Sequence, residues 1–367
     1  MSGIGGDAPG RVLHFARRWL PVSEGFVYDL VRSLHRPGVV VATERLENAD
    51  RFPLADVHSL AWTSRLGSGP AARRARTAAL MSLAVRRHVV VAHAHHGYGL
   101  GDLAGAVRRR RVPLVLSLHG DDVTGLVDQY PDYYRDAVGL VTTVVVPSQF
   151  LVDRVTAAGF GAERVRVIPS GIDTSFFSPA PLADGPPQAL FVGRFVAKKG
   201  LDILAAAWPV VAQAVPAARL QMLGFGELEH LARSIPGNVE VVLSPTRAAV
   251  RDAMRQSRVV VSPSRTAPGD AVESLLVVNV EAQASGRPVV TTRHGGIPEY
   301  VRDGETALVV PENDAAALAD ALITVLTDDS VAGRLGAAGP GWAAQFDVSL
   351  MARRVDAAYD DAIERAP

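Results

Sequence analysis

The sequence contains no cysteine, so no disulfide can form. It has no uninterrupted apolar run of about 18 residues, which excludes an evident membrane-spanning helix. The opening MSGIGGDAPGRVLHF has neither the basic segment nor the long apolar core of a signal peptide. From the last two absences we expect a cytoplasmic protein, and the abundance of arginine and alanine is typical of a high-GC bacterium.

Lysine is almost absent. The chain has 38 basic residues, and only two of them are lysines, Lys198 and Lys199, which are adjacent. A compact ammonium group binds ligands differently from a guanidinium, so this pair suggests a local requirement. The 38 acidic residues bring the formal net charge to zero. Residues 1–180 carry a surplus of 5 positive charges and residues 181–367 a matching deficit. So mild an imbalance does not favour nucleic-acid binding.

Several cofactor and metal patterns are also missing. The chain has no D-x-D pair, and the segment GFGE at residues 224–227 lacks the third glycine of a dinucleotide fingerprint, which disfavours a nicotinamide oxidoreductase. His93 and His95 alternate onto one face of a predicted strand, but without cysteine or an H-x3-H pair a zinc site is disfavoured. A packed or hydrogen-bonded histidine and a ligand-facing His95 at the strand end remain as alternatives.

Strand-like and helix-like segments alternate along 367 residues, which suffice for two domains. Periodicity predicts strands at residues 11–16, 39–43, 89–92, 113–118, 141–147, 189–195, 219–223, 239–243 and 258–264, and helices at 24–34, 70–87, 314–326 and 330–344. Residues 178–188 (SPAPLADGPPQ) contain four prolines and predict a linker. The alternation predicts an α/β protein of two doubly wound parallel-sheet domains facing across a cleft.

The most informative stretch is residues 268–300. Glu273 and Glu281 lie eight positions apart, the first before a predicted helix and the second about two turns into it. Ser274 is the predicted N-cap. Free N–H groups at such a helix start suit phosphate oxygens, and here they belong to Ser274, Leu275 and Leu276. The two carboxylates suit two hydroxyl-bearing parts of one ligand, although two solvent-facing glutamates on an amphipathic helix are the alternative.

A second candidate is the strand–loop–helix segment around the two lysines. Gly193 and Gly200 leave room for a phosphate beside the backbone, and Arg194 and Lys199 add positive charge. The alternative is an ordinary turn with surface cations.

The first half offers candidates at two loops. His119 and Asp122 follow the strand at residues 113–118, at the strand end where open α/β sheets bind ligands. Asp121 can equally cap the next turn. Ser23 and Gly25 lie in the turn after the first strand, with Ser23 as the predicted N-cap of a helix.

Together these motifs closely resemble the retaining glycosyltransferases of family GT4, which have the GT-B fold. Glu273 to Glu281 gives E-x7-E, followed by A-x-A-x-G-x-P-V-V and G-G-x-x-E through residue 299. Residues 193–200 give G-R-x-x-x-K-K-G, and residues 119–122 give H-G-x-D. A Ser-Glu-Gly-Phe turn at residues 23–26 replaces the Gly-Gly turn of many members and is similar to exopolysaccharide-type enzymes. The resemblance extends from Arg11 to the tail.

The resemblance implies a metal-independent retaining hexosyltransferase without cofactor. It would move a sugar from a nucleotide sugar, with UDP-sugars favoured and GDP-sugars allowed, to a glycan, lipid-linked or small-molecule hydroxyl. By resemblance, Glu273 contacts the donor sugar, Glu281 the ribose, and Arg194 and Lys199 the phosphates, while His119 lies by the transferred sugar. The expected catalytic residues are His119, Glu273, Arg194 and Lys199. The expected donor site adds Gly193, Ser274, Leu275, Leu276 and Glu281, and the expected acceptor side comprises Ser23, Gly25, His95, His119 and Asp122.

The expected domains are an acceptor-side domain at residues 1–180, a nucleotide-sugar domain at 186–341, and a C-terminal helix at 342–367 that crosses back to the first. Two alternatives stay open, a GT-B sugar-nucleotide epimerase, which would need no acceptor, and a non-catalytic nucleotide-sugar-binding protein. Arginine runs within residues 70–87 and 108–111 form either a solvated face or a surface that rests on anionic lipid. The expected biological setting is bacterial polysaccharide biosynthesis, with peripheral membrane contact on the cytoplasmic face as an open alternative.

Overall fold

The structure is a computed structural model that describes residues 10–36, 38–108, 110–181, 185–267 and 272–366. Residues 268–271 of the central stretch, residues 182–184 of the predicted linker and position 109 of the second arginine run therefore lie outside the described residues. The chain forms two compact units. Unit 1 contains the residues up to Gly171 and those from Val348 onward, and unit 2 contains residues Ile172–Asp347.

Unit 1 is built on a seven-stranded parallel sheet with the order β3-β2-β1-β4-β5-β6-β7. Its strands are β1 (Arg11–Trp19), β2 (Val39–Leu46), β3 (Val57–Ser59), β4 (Val89–His95), β5 (Leu114–Ser117), β6 (Thr143–Val146) and β7 (Val165–Val167). Its first helices are α1 (Gly25–Ser33), α2 (Pro70–Arg86), α3 (Leu100–Arg108), α4 (Gly125–Gln129) and α5 (Val152–Ala157). Unbroken apolar runs such as VVVA in β2 and β4 suit strands that are buried on both faces.

Unit 2 is built on a six-stranded parallel sheet with the order β10-β9-β8-β11-β12-β13. Its strands are β8 (Gln188–Arg194), β9 (Arg219–Phe225), β10 (Val239–Leu243), β11 (Val259–Ser262), β12 (Val289–Thr292) and β13 (Ala307–Val310). Its helices are α6 (Leu201–Ala214), α7 (Glu229–Ser234), α8 (Arg247–Gln256), α9 (Val277–Ala284), α10 (Ala315–Thr327) and α11 (Asp329–Ala343). The bounds of α10 and α11 agree with the predicted helices to within one residue.

The last helix, α12 (Val348–Glu364), belongs to unit 1. Its buried side chains, including Met351, Val355 and Tyr359, pack on one face of the seven-stranded sheet in a cluster with Val91 and Val115. Unit 1 is therefore assembled from two separate segments of the chain. Among the described helices, none combines the length and the apolarity that crossing a membrane requires.

The start of α1 differs from the prediction. A short 3-10 turn, Val22–Glu24, precedes the helix, which begins at Gly25 with Glu24 in the cap position and no side-chain capping hydrogen bond. The prediction that Ser23 caps this helix is therefore wrong. The 3-10 turn tightens the chain and leaves Ser23 exposed, so that the carboxylate of Glu24 is free to point elsewhere.

Candidate functional site

In unit 2 all strands are parallel, but the side of the sheet to which the chain adds successive strands changes between β8 and β11; we call this place the reversal point. Strands β9 and β10 lie on one side of β8, and β12 and β13 lie beyond β11. The loops that leave the carboxyl ends of β8 and β11 therefore diverge and leave room for a ligand, as is usual in open α/β sheets. The loop after β8 carries Lys198 and Lys199, and the loop after β11 leads to Glu273.

Glu273 forms an ion pair with both lysines of this loop. Its Oε1 lies 2.9 Å from Lys199 Nζ and 3.6 Å from Lys198 Nζ, and all three side chains are largely buried. Burial disfavours the charged carboxylate, but Lys199 and Lys198 outweigh it and lower the pKa of Glu273. Burial also lowers the pKa of Lys199, although Glu273 opposes that shift. Lys199, which the sequence assigns to the donor phosphates, thus also holds the carboxylate of Glu273, which the sequence assigns to the donor sugar.

The backbone of Glu273 is held by the chain that follows β12. Its carbonyl oxygen accepts the Gly296 N–H at 3.0 Å, and its own N–H donates to His294 Nε2 at 3.2 Å. His294 Nδ1 lies 2.9 Å from Glu312 Oε1, so the proton belongs on Nδ1. Gly295 has a φ of +52°, and a Cβ there would lie 2.1 Å from the Glu273 carbonyl oxygen. Glycine at position 295 therefore lets the turn after β12 approach the backbone of Glu273.

The helix after Glu273 starts later than predicted. It begins at Val277, with Leu276 as a cap residue whose side chain makes no capping hydrogen bond. Ser274 is therefore not the cap, and Glu281 lies about one turn into the helix rather than two. The cause is tertiary, because the hydrogen bonds of Glu273 to His294 and Gly296 hold the preceding turn out of helical geometry. The N–H groups of Ser274, Leu275 and Leu276 thus belong to a turn that leads into α9.

The loop after β8 is also shaped by close backbone approach. Gly200 has a φ of +66°, and a Cβ there would lie 1.9 Å from the Pro263 carbonyl oxygen. A Cβ at Gly224 would lie 1.9 Å from the carbonyl oxygen of Gly193. Gly200 therefore makes room for protein backbone, whereas the sequence suggested room for phosphate. Arg194 is the exposed last residue of β8, at the edge of the sheet where the lysines lie.

Unit 1 has its own reversal point, between β1 and β4. Strands β2 and β3 lie on one side and β5, β6 and β7 on the other, so the loops after β1 and β4 diverge. The loop after β1 carries Ser23, Glu24 and Gly25, and the residue that follows β4 is His96. His119 and Asp122 follow β5, the neighbour of β4.

Asp122 anchors the loops after β4 and β5. Its Oδ1 accepts the N–H groups of His119 at 2.9 Å and Gly120 at 3.0 Å, and its Oδ2 accepts the Gly97 N–H at 3.3 Å. Burial of Asp122 is complete and disfavours its charge, but its interaction with His96 and these hydrogen bonds lower its pKa. The geometry makes Asp122 a residue that positions His119.

His119 lies among aromatic rings. Its ring meets Phe26 edge-on at 5.2 Å between centroids and is tilted against His96 at 4.6 Å. It also stacks with His95 at 6.2 Å. Burial and the neighbouring His96 lower the pKa of His119 to about 4, so the ring is neutral at pH 7.

Beneath His119, three buried histidines form a cluster in the sheet. His14 Nδ1 lies 2.9 Å from His95 Nε2, and the two ring nitrogens of His93 lie 2.6 Å from the Tyr359 hydroxyl and 2.7 Å from the Ser117 hydroxyl. Burial lowers the pKa of His14 to about 3 and places those of His93 and His95 well below their ordinary values. The cluster is therefore a neutral polar core to which His95 belongs, with His14 Nε2 and His95 Nδ1 left without a hydrogen-bond partner among the described residues.

Sequence reasoning missed two pairs of residues. Glu24 and His96 come together across the reversal point of unit 1, and His294 and Glu312 support Glu273 in unit 2. Neither pair carries a sequence motif. The signal that could have found the first pair is strand order, because the loops after neighbouring strands meet at one sheet edge even when the strands are distant in sequence.

Two family models match the chain. "Glycosyltransferase Family 4" covers residues 23–176, and "Glycosyl transferases group 1" covers residues 186–328. The first match lies in unit 1 except for its last five residues, and the second lies within unit 2.

Curated relatives include mannosyltransferases. The phosphatidyl-myo-inositol mannosyltransferase of Mycobacterium leprae is 33% identical over 205 residues, 54% of either chain. The GDP-mannose-dependent alpha-(1-6)-phosphatidylinositol monomannoside mannosyltransferase of Mycolicibacterium smegmatis is 31% identical over 268 residues, which are 66% of this chain and 68% of that protein. The match thus spans about half the length of the first relative and about two thirds of the second.

Solved structures resemble the chain over nearly its whole length. The Anabaena protein Alr3699/HepE in complex with UDP-glucose has a TM-score of 0.77 at 22% identity, covering 95% of this chain and 98% of that one. A glycosyltransferase from Rickettsia africae has a TM-score of 0.77 at 16% identity, covering 97% and 99%. These likenesses confirm the predicted fold class, GT-B with two parallel-sheet α/β domains.

Proposed function

The chain belongs to glycosyltransferase family 4, and from that premise we propose that it transfers a hexosyl group from a nucleotide sugar to a hydroxyl acceptor with retention of configuration. The bond between the sugar C1 and the diphosphate oxygen breaks, and a bond between C1 and the acceptor oxygen forms on the same face. The acceptor proton passes to the departing phosphate. The observation that carries the proposal is the buried Lys199–Glu273 pair at the reversal point of unit 2.

Unit 2 binds the donor in this proposal. A departing diphosphate gathers negative charge, and fixed cations and N–H groups stabilise it without reorganisation. Lys199 is held in one place by Glu273, and Arg194 ends the neighbouring strand β8. The carboxylate oxygens of Glu273 accept hydrogen bonds from hydroxyls of the sugar. Glu281, one turn into α9, binds the ribose. The N–H groups of residues 274–276 complete the phosphate site.

Unit 1 binds the acceptor in this proposal. Neutral His119 can exchange hydrogen bonds with the transferred sugar, and Asp122 fixes the loop that presents it. Exposed Ser23 lies in the loop after β1 and Gly25 opens α1 two residues later, on the sheet edge that carries His119. His95 supports His119 from the buried side by ring stacking.

The donor that we propose to test first is GDP-mannose. The M. smegmatis relative is named for that donor and is 31% identical to this chain, whereas HepE, which was solved with UDP-glucose, is 22% identical. UDP-glucose is the second candidate. The acceptor class that fits the mannosyltransferase relatives is a lipid-linked polyol, with a glycan or a small-molecule hydroxyl as alternatives.

We expect the purified protein to be stabilised by its donor without added metal. A ligand at about 100 times its Kd adds about 2.7 kcal/mol to the free energy of unfolding, which raises Tm. Thermal shift with GDP-mannose, UDP-glucose, GDP and UDP, each with and without EDTA, measures this.

We also expect transfer to survive EDTA, because the chain has no D-x-D motif and holds cations of its own at the phosphate site.

Three outcomes would contradict the proposal. Stabilisation by none of the four nucleotides would remove the donor site. A rate that collapses in EDTA and returns with Mg²⁺ or Mn²⁺ would show that metal holds the phosphates. Conversion of the donor to a new sugar nucleotide without acceptor would favour the epimerase.

We also propose that unit 1 rests on anionic membrane. Trp62 and Leu66 are about half exposed in a short turn before α2, beside exposed Arg65, Arg73 and Arg74. An exposed aromatic next to several cations suits an interface with acidic head groups. Arg76, by contrast, does not belong to this surface, because it is buried against Asp102 at 3.0 Å.

Vesicle flotation tests this membrane surface. We expect binding to phosphatidylcholine vesicles only when phosphatidylglycerol is added, weakening as salt rises because head-group attraction is screened. Trp62→Ala should weaken binding severalfold, whereas Tyr130→Ala, which removes another half-exposed aromatic of unit 1, should not. Equal binding to neutral vesicles, or an equal loss in both variants, would contradict the proposal.

A further inference from the structure

His96 lies between two carboxylates at the reversal point of unit 1. Its Nε2 is 3.3 Å from Glu24 Oε1, and its Nδ1 is 3.6 Å from Asp122 Oδ2. Glu24 comes from the loop after β1 and Asp122 from the loop after β5, so His96 joins three loops at one edge of the sheet. Its backbone φ of +67° is unusual for a residue other than glycine, and such strain is kept where the surroundings require it.

This arrangement keeps His96 protonated at pH 7. Burial disfavours its charge, but hydrogen bonds and charge attraction from Asp122 and Glu24 outweigh burial and raise the pKa of His96 to about 10. The three groups together then carry one net negative charge. Tyr98, whose ring lies 6.4 Å from that of His96, is neutral and hydrogen-bonds Asp121.

The neighbour of this cation is His119, at 4.6 Å between ring centroids. The titratable groups that face His119 are His93, His95, His96, Glu24 and Asp122. Burial and His96 lower the pKa of His119, while Asp122 and Glu24 raise it. The buried carboxylate of Asp122 and the partly exposed carboxylate of Glu24 therefore attract one proton, and two histidines compete for it.

We propose that His96 is a positioning residue for the transfer reaction, whose imidazolium, held between Glu24 and Asp122, takes the proton that these carboxylates attract and so keeps His119 neutral. His96 acts through His119 and need not touch the substrate. The inference rests on the proposed function, because it assigns His119 to the reacting sugar.

A neutral His119 matters because of the charge of the transition state. The sugar carbon gathers positive charge as the diphosphate leaves, as in other oxocarbenium-like glycosyl transfers. An imidazolium at His119 would repel that charge, whereas a neutral ring can hydrogen-bond the sugar. The Glu24–His96–Asp122 group, with its net negative charge, favours the same transition state.

The decisive experiment is the pH dependence of His96→Gln. In the wild-type protein we expect the acid limb that His119 sets in kcat/KM to lie below pH 6, because the pKa of His119 is lowered to about 4, so the rate should stay flat between pH 8 and pH 6. In His96→Gln the proton moves to His119, and the acid limb should rise by about one to three pH units. A rise by the full three units, to about 7, should make the rate at pH 8 about tenfold higher than the rate at pH 6, and a smaller rise should give a smaller ratio. His88→Gln is the matched control, because His88 is exposed at the opposite end of β4.

The titration of His119 gives a readout that does not depend on turnover. Histidine ring NMR of wild-type protein and His96→Gln should show the pKa of His119 rising in the variant, with His119→Gln assigning the signal. This separates the two proposals: absence of transfer in the wild-type protein would overturn the proposed function, whereas the NMR shift still tests His96.

A uniform loss of rate at every pH in His96→Gln, with an unshifted His119 titration, would mean that His96 is only structural and would overturn the inference. If that variant does not fold, Glu24→Gln keeps the test decisive. Loss of one carboxylate should lower the pKa of His96, about 10 in the wild-type protein, by about one unit or more. An unchanged His96 titration in Glu24→Gln would also overturn it.

Discussion

Replacement of Lys199 by alanine should weaken donor binding by roughly ten- to a hundredfold and lower turnover with it. The lost charge-assisted hydrogen bond to a phosphate oxygen is worth about 1.5–3 kcal/mol. Glu273 adds to the effect, because it keeps only Lys198 at 3.6 Å and its position is no longer fixed. Calorimetry with GDP, UDP and the corresponding nucleotide sugars measures the loss. Unchanged affinity would remove Lys199 from the donor site.

The same substitution should destabilise unit 2, since breaking a buried ion pair by removing one partner costs about 3–5 kcal/mol. The remaining contact of Glu273 with Lys198 places the expected loss at the lower end of that range. Adding Glu273→Gln to Lys199→Ala should restore part of the stability but none of the donor affinity. Arg219→Ala is a suitable control, because Arg219 is an exposed residue at the opposite end of the sheet. Recovery of donor binding in the double variant would show that Lys199 acts only on Glu273.

Acidification should unfold unit 1 well above the pH at which its carboxylates titrate. His14, His93 and His95 are neutral and buried in the folded state, and each takes up a proton with an ordinary pKa of about 6.5 once unfolded. Folding lowers the pKa of His14 to about 3 and the pKa values of His93 and His95 well below their ordinary value, so the contribution of the three to stability is complete above about pH 6.5 and is lost as the pH falls through those lowered values. Protonation of these three histidines in the unfolded chain should lower the free energy of unfolding by about 6 kcal/mol at pH 5, which is comparable to the stability of a whole domain.

The groups that face these three rings are one another, Tyr359 from α12, and His119 and His96 from the adjoining loops. His119 adds to the loss of stability at acid pH, because its pKa is also lowered in the folded protein. His96 does not, because its pKa is raised and its contribution is complete at acid pH and is lost only as the pH rises toward about 10.

Urea unfolding at pH 7.5, 6 and 5, followed by circular dichroism, checks this prediction. Each histidine that binds a proton on unfolding adds about 1.4 kcal/mol per pH unit to the slope of the free energy of unfolding against pH. His14→Asn should therefore lower the slope by one such step, and His230→Gln, which alters an exposed residue of unit 2, should leave it unchanged. A stability that stays flat between pH 7.5 and 5 would show that the cluster is already protonated or solvated in the folded protein.

The sequence predicted the fold class because its evidence is local and repeated. Apolar runs with β-branched residues predicted buried strands, and the α10 and α11 patterns had clear periodicity, so their bounds hold to within one residue. Helix starts at the site were harder. Ser274 and Ser23 are both good cap residues by type, yet neither caps, because tertiary hydrogen bonds at Glu273 and a 3-10 turn at Glu24 set the chain path.

The pairings within the site could not be read from chain order. Lys199 with Glu273, and Glu24 with His96, each join loops that follow strands adjacent in space but separated in sequence. The strand order brings the two residues of each pair together, and no local sequence pattern predicts that order. Both pairs lie at the reversal point of their own sheet, so a predicted strand order would have been the route to them.

The return of α12 to unit 1 has a consequence for the order in which the protein is made. Unit 2, residues Ile172–Asp347, is inserted between the two segments of unit 1, so its chain is complete on the ribosome before unit 1 can close. At typical elongation speeds the first segment waits roughly 10 to 35 s for its last helix, with the apolar sheet face around Val91 and Val115 uncovered. We therefore expect the first segment of unit 1, although it is synthesised before unit 2, to reach its native packing last.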